Sequence, residues 1–490
     1  MSEIRKDASG LDARQLQSRN NLVIGLLLIS AFVVILNETI IGVAMPHLMK
    51  DLGVTAGQAQ WLTTAFMLTM AVVIPITGFL LQRLNTRPVF ILAMSLFSLG
   101  TLIGAIAPGL TVLILGRIVQ ACGTAIMMPL LMTTVMTLVP PETRGRTMGN
   151  ITIVISVAPA IGPTISGFIL SMFDWRWMFW LVLPIALAAL ALGASKIRNV
   201  GSPRRAPLDL ISVPLAAAGF GILVYGLSTI GEGAVAGEES AYPAWLPIII
   251  GAAFVTLFVL RQLALQKQDR ALLDLRTFLS PVFTVATIMM AISMMAMFGV
   301  IILLPIYTQN VLHFDALTTG LLLLPGGLLM GLMARFVGAA SDRHGPTGLV
   351  IAGSILLTLS ALALASLGTT TPWYFVLASH LLFMGGLGLL FTPLFSASLG
   401  SLPPHLYSHG SAVIGTVQQV GGAAGTALFV SIMTLSSSKI AAAGAEPVTA
   451  LSGGISTAML YCTAISVIAI IAAFFVRRPN GPTMHEAIGH

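Results

Sequence analysis

Apolar residues in this chain neither alternate with polar ones nor form a narrow helical stripe; they come in long, nearly unbroken runs. The first covers residues 21–45. Others lie near 58–81, 88–107, 110–138, 147–172, 177–195, 208–230, 244–265, 282–307, 318–340, 346–367, 372–400, 410–436 and 455–476. Each is close to the ~20 residues a helix needs to cross a hydrocarbon core. Short turns such as Ala107-Pro108-Gly109 force neighbouring spans to run antiparallel. In lipid every backbone N–H and C=O must find its partner within the protein, which leaves helices or closed barrels, and runs this long select helices. The pattern predicts an all-α integral membrane protein with fourteen spans.

Composition points the same way. Hydrophobic residues make up 56% and charged residues 8% of the 490, and mean hydropathy is +0.96. A soluble domain carries about 25% charged residues, so this chain cannot cover itself against water. The first 20 residues are polar, with Arg5, Lys6, Arg14 and Arg19, and the run that follows is too long for a cleavable signal. It reads as a span that stays. Cys122 and Cys462 fall inside apolar runs and read as small buried hydrophobes, not as a disulfide.

The charges orient the chain. With a cytoplasmic N-terminus, 20 of the 24 Lys and Arg residues fall on the cytoplasmic side. Only Lys50, Arg176 and Lys439 fall outside, and Arg117 sits within a span. A missed helix would scramble this asymmetry, so the bias predicts both termini in the cytoplasm and a multi-pass protein of the inner (cytoplasmic) membrane. The net charge of +7 and pI of about 9.8 then reflect topology and contact with lipid headgroups; no nucleic-acid partner is implied.

A weak repeat is visible. Gly78 precedes Gln82-Arg83 and a turn at Asn85, and Gly338 precedes Asp342-Arg343 and a turn at Gly345. Two halves built on one plan, with a substrate path between them, is a common transporter layout. The expected organisation is a cytoplasmic segment (1–20), a six-helix bundle (21–200), an inserted two-helix hairpin with basic linkers (201–275), a second six-helix bundle (276–476) and a cytoplasmic tail (477–490).

Nearly all 17 acidic residues lie in loops or at span ends. Glu38 is the exception, deep in the first span between Asn37 and Thr39. A carboxylate there is costly unless paired, protonated or facing water, which suits a group that takes and releases protons. The alternative is a permanently neutral Glu bonded to a neighbouring helix. Arg117 is the matching cation, and Gln120 and Thr124 continue its helical face. It could hold Glu38 ionised in one state, bind an anionic group, or form a fixed structural ion pair. Polar candidates for a substrate cavity are Asn37, Thr39, Gln60, Thr64, Gln120, Thr124, Tyr307, Asn310, His380, Gln418 and Gln419, though any one could be packing glue. His380 is a second titratable group within a span.

Several segments resemble the major facilitator superfamily, and within it the fourteen-span drug:H⁺ antiporters of the EmrB/QacA type. Leu36-Asn37-Glu38-Thr39 through Ala44-Met45-Pro46 is similar to that group's first-helix motif, its Asn-Glu pair closest to lincomycin-resistance-type members. Arg117-Ile118-Val119-Gln120-Ala121 resembles the fourth-helix motif, and Gly149 through Ala158 with Gly162-Pro163 and Ser166-Gly167 the antiporter motif of helix five. Asp174-Trp175-Arg176-Trp177 resembles the segment before helix six. The resemblance covers residues 21–476. It implies two six-helix pseudo-repeats plus two inserted helices, and alternating-access efflux of lipophilic or cationic drugs driven by protons. It gives proton coupling to Glu38 and Arg117. Gly162, Pro163 and Gly167, with Gly338, Asp342 and Arg343, become conformational motifs, Gly162 and Pro163 by close packing and bending between the halves. Gln82 departs from the family, which usually has Asp there.

The implied partners are a small-molecule substrate, protons and the bilayer, for a protein working as a monomer with no cofactor and no metal. A lipid or native metabolite as cargo, or proton-coupled import, also fits. A membrane enzyme does not: His485-Glu486 and His490 have the wrong spacing for two metal ligands on one helical face.

Overall fold

A computed structural model describes residues 13–197, 199, 209–236, 243 and 245–476, without the side chains of 13–16, 42, 43, 46, 56, 57, 163, 229–236 and 316. Arg5, Lys6, Arg198, Arg204, Arg205, Arg477, Arg478, the side chains of Arg14 and Pro163 and the 485–490 segment therefore lie outside the described residues.

Among the described residues fourteen long helices succeed one another: α1 Ala13–Leu52, α2 Ala56–Arg83, α3 Thr86–Ala105, α4 Leu110–Leu138, α5 Arg144–Met172, α6 Arg176–Lys196 and α7 Ser212–Ala236. They continue as α8 Trp245–Leu265, α9 Pro281–Asn310, α10 Ala316–His344, α11 Thr347–Ala365, α12 Trp373–Gly400, α13 Tyr407–Ala442 and α14 Pro447–Ala473. Each apolar run has its helix. Thirteen helices are long and apolar enough to cross a membrane over their described residues, and α7 is described with side chains only over Ser212–Ser228, all of it apolar helix. The helices outrun the apolar stretches at several ends. α1 begins at Ala13, inside the segment expected to precede the bundle, and continues to Leu52. Hydropathy marks the part of a helix that suits lipid, whereas the hydrogen-bonded spiral continues through polar residues at either end.

The helices α1–α6 pack into one bundle and α9–α14 into a second, and α7 of the α7–α8 hairpin lies against α2 and α13. With an even number of crossings, the start of α1 and the end of α14 share one face, the terminal face. Polar clamps fix the loops. On the terminal side Arg261 grips both oxygens of Asp209 at 2.7 Å, holding that carboxyl below the usual carboxylate range with help from Ser212. Next to it, Gln262 donates to Ser212 and accepts from the backbone of Leu272 and Leu273, so the hairpin is bonded to the linker that leads into α9. On the opposite side Trp175 donates from Nε1 to Asp51 at 2.8 Å, and Arg176 bonds Asp51, Asp174 and the Ala107 carbonyl. Hydrogen bonds from Trp175 and then Arg176 lower the Asp51 carboxyl's affinity for a proton. This is what the Asp174-Trp175-Arg176 segment does: it knots the ends of α1, α3 and α6.

Two seams join the bundles. In one, α5 meets α10 along complementary stripes of small residues. Gly145 and Gly149 of α5 lie against Gly338, Asp342 and Ala334 of α10, and Ser156, Val157 and Ala160 against Gly327 and Gly331. In the other, Gly78 of α2 lies against His409 and Ala412 of α13, Ile74 faces Gly415, and the Met67 carbonyl accepts from Gln419 at 3.4 Å. Thr392 of α12 bonds Thr152 of α5, and Thr133 of α4 bonds Ser411 of α13. These contacts run from the terminal face to mid-helix. Two turns beyond Ala160 and Gly327 on the same stripes, a side chain added at Gly167 or Gly320 would meet nothing within 4 Å among the described residues. Along α5 and α10 the bundles are closed together at the terminal face, and among the described residues these stripes part beyond the middle.

Candidate functional site

Glu38 lies near mid-helix in α1, held from two sides by α5. Gly162 has no room for a side chain because the Thr39 hydroxyl occupies that space, and Ser166 donates to the Ile40 carbonyl at 3.0 Å. Thr39 itself donates to the Leu36 carbonyl. Gly162 therefore packs within the first bundle, and the close approach between bundles belongs to Gly145 and Gly149 of the same helix. One helix thus serves two purposes on two faces: it steadies the acid-bearing segment and forms the seam.

Arg117 lies in α4 and is almost fully buried, at 2% exposure. Its Nη1 donates to Gln120 Oε1 at 2.7 Å, Gln120 Nε2 donates to Thr101 Oγ1 at 2.8 Å, and Thr101 donates to the Phe97 carbonyl at 2.7 Å. The guanidinium carbon sits 4.0 Å from the centroid of the Phe66 ring, and Nε has no hydrogen-bond partner. Thr124 caps the same stripe by donating to the Gln120 carbonyl.

Glu38 and Arg117 act on each other as charges, yet among the described residues Glu38 has no ion-pair partner within 4.0 Å. It is half-buried, whereas its neighbour Asn37 is 2% exposed with an unpartnered Nδ2. The acid is thus uncommitted, and the cation is held by other groups.

The other polar candidates divide. Gln60, Gln418 and Gln419 are half-buried; Gln418 Nε2 is unpartnered, and Gln419 is the seam donor to α2. Thr64 is buried. Tyr307, expected near a cavity, is instead fully buried inside the second bundle, where its hydroxyl donates to the Gly368 carbonyl at 2.6 Å. Asn310 is exposed at the end of α9 and bonds the Ile306 carbonyl. His380 is buried in α12, its Nε2 3.2 Å from the Leu323 carbonyl beside the Pro325-Gly326-Gly327 segment inside α10. Nε2 facing a carbonyl must carry the proton, which leaves Nδ1 as the unpartnered atom. Asp342 accepts from the backbone N–H of Gly145 and Arg146, and Arg343 is exposed.

Sequence reasoning did not find Phe66 or Thr101. Thr101 follows from the polar stripe of α4 needing an acceptor on α3, but nothing separates Phe66 from other apolar positions of its span. Both cysteines are free. Among the described residues no His, Cys, Asp and Glu side chains gather as a metal site.

The sequence pattern of the Major Facilitator Superfamily matches residues 27–426. The uncharacterized MFS-type transporter YcnB of Bacillus subtilis (strain 168) is 39% identical over 467 residues, covering 95% of this chain and 97% of that protein. The lincomycin resistance protein LmrB of the same organism is 37% identical over 92% of this chain and 95% of its own. Among solved structures, the proton:xylose symporter XylE superposes with a TM-score of 0.65 over 96% of this chain and 98% of that one, at 16% identity, a likeness of fold.

Proposed function

Since the chain belongs to the major facilitator superfamily and is a membrane transporter, we propose that it exchanges protons for lipophilic or cationic small molecules, exporting them by alternating access. The observation that carries this reading is Glu38. It is an acid deep in a span, half-buried and, among the described residues, with no ion-pair partner, while the cation Arg117 is held by other groups. A carboxyl so placed is stable when protonated and is ready to lose its proton once Arg117 comes within reach.

The parted side accepts protons and releases cargo; after rearrangement the terminal side does the reverse. The charge partition supports a cytoplasmic terminal face in the cytoplasmic membrane. The name of LmrB supports drug-like cargo, with a lipid or native metabolite as the alternative. The coupling ion is H⁺, and one copy of the chain holds the whole path.

The test is proton release from purified protein on adding lincomycin or ethidium, wild type against Glu38→Gln, with gradient-driven uptake into vesicles acidified inside. The wild type releases protons and accumulates the drug, and the variant does neither. Retention of both by Glu38→Gln would sink the assignment.

A further inference from the structure

Arg117 is a buried cation whose nearest neighbours are not an anion but an amide and an aromatic ring. Ring and guanidinium are both buried, with Phe66 1% and Arg117 2% exposed. A cation over a ring face is held more firmly when water is excluded. Glu38 stands on α1, which packs against α4, and among the described residues no ion pair joins it to Arg117. Phe66 therefore occupies the guanidinium in place of the carboxylate.

The position of Phe66 in the fold gives this a second meaning. Its helix, α2, is shared between the coupling pair and the seam. Phe66 faces Arg117 of α4, and the next residue, Met67, offers its carbonyl to Gln419 of α13 in the other bundle. The same helix lies against α13 through Ile74 and Gly78 down to the terminal face. Opening that face must part α2 from α13, and any tilt of α2 moves the ring relative to α4.

We propose that Phe66 is the positioning residue of the coupling pair, holding Arg117 off Glu38 while the terminal face is closed and yielding it when α2 leaves α13. The freed guanidinium, with its unpartnered Nε, then binds the Glu38 carboxylate, and the proton departs on the terminal side. The ring thereby ties proton release to the opening of the seam. This rests on Glu38 as the carrier.

The test compares Phe66→Leu and the volume-conserving Phe66→Met, which lack the ring, with Phe66→Trp, which keeps one. Two readouts are taken in purified protein and vesicles: the pH at which ethidium-induced proton release is half-maximal, and ethidium exchange at equal pH on both sides, which needs a folded, cycling protein but no net proton movement. Without the ring Arg117 is free to hold Glu38 as the anion, so the midpoint moves towards acid by about 1 pH unit, while exchange continues. Phe66→Trp keeps the wild-type midpoint. An unshifted midpoint in the exchange-competent Leu or Met variant overturns the proposal, as does the same shift in the Trp variant. Glu38→Gln separates the two claims. If it still releases protons, the carrier assignment fails; if it does not while the ringless variants keep the wild-type midpoint, only the role of Phe66 fails.

Discussion

The two seams are built from copies of one sequence element, yet they close differently. In the second copy, Gly338 brings backbone against backbone at Gly145, and the Asp342 carboxylate accepts from the Gly145 N–H at 2.7 Å and the Arg146 N–H at 2.8 Å. Those are orphan donors of the first turn of α5, whose own cap residue Thr143 makes no side-chain capping bond, so a charge in one bundle caps a helix of the other. In the first copy, Gly78 meets side chains, His409 and Ala412, and Gln82 donates to the His405 carbonyl at 2.9 Å in an exposed position. The first turn of α13 has no side-chain cap from its own cap residue, Leu406. One seam is a charge–dipole lock between close backbones, the other a neutral bond over a cushion of side chains. The difference shows that a duplicated element can keep its spacing and lose its chemistry when one residue, Asp for Gln, changes at its centre.

The contrast can be broken most directly at the glycines. In Gly338→Ala the new methyl runs into the Gly145 carbonyl, which cannot step aside, and the seam loosens by about 1–3 kcal/mol. In Gly78→Ala the nearest atoms are His409 Nδ1 at 3.1 Å and Ala412 Cβ and His409 Cα at 3.3 Å, so the neighbours need give only a few tenths of an ångström and the cost stays below about 1 kcal/mol. Reactivity of Ala334→Cys and Ala412→Cys towards an impermeant maleimide, each in its own seam, reads the two effects; equal effects would erase the distinction. Next in size is Asp342→Ala, expected to cost about 1.5 kcal/mol, the low end for hydrogen bonds to a charged group because water can reach the freed N–H groups. That raises Ala334→Cys reactivity roughly tenfold. The smallest effects belong to Gln82. Removing its bond in Gln82→Ala costs about 0.5 kcal/mol. Gln82→Asp, by offering a charge to the uncapped start of α13, lowers Ala412→Cys reactivity by a free energy of about 0.3–1 kcal/mol. A rise in reactivity with Asp would mean that the first copy cannot be made to resemble the second.

Much of this architecture is written locally. Span number follows from runs of apolar residues, since hydropathy needs no knowledge of the partner. The repeat is visible in the spacing of Gly78 to Gln82 and Gly338 to Asp342, and Glu38 stands out because acids are otherwise kept out of the spans. Partners are another matter. Asp342 docks 197 residues from itself in sequence, on backbone groups that every residue possesses, so nothing in the local sequence points to Gly145. The small-residue face of α5 is hidden because glycine and alanine are common throughout membrane helices. Arg117 was legible as a cation within a span but not as a stacked one, since Phe66 looks like any other apolar residue until α2 is laid against α4. Tyr307 misled for the converse reason: a polar atom in a span suggests a cavity, and here one carbonyl, that of Gly368, takes it up inside a bundle.

The place of α7 bears on how the molecule is assembled. This helix packs on both α2 and α13, although in the chain four helices separate it from α2 and five from α13. Ribosomes deliver helices in order, and the first-made parts settle first. Both helices that flank α13 are therefore made before Tyr407, its first residue, so the surfaces that α13 packs against precede it in synthesis.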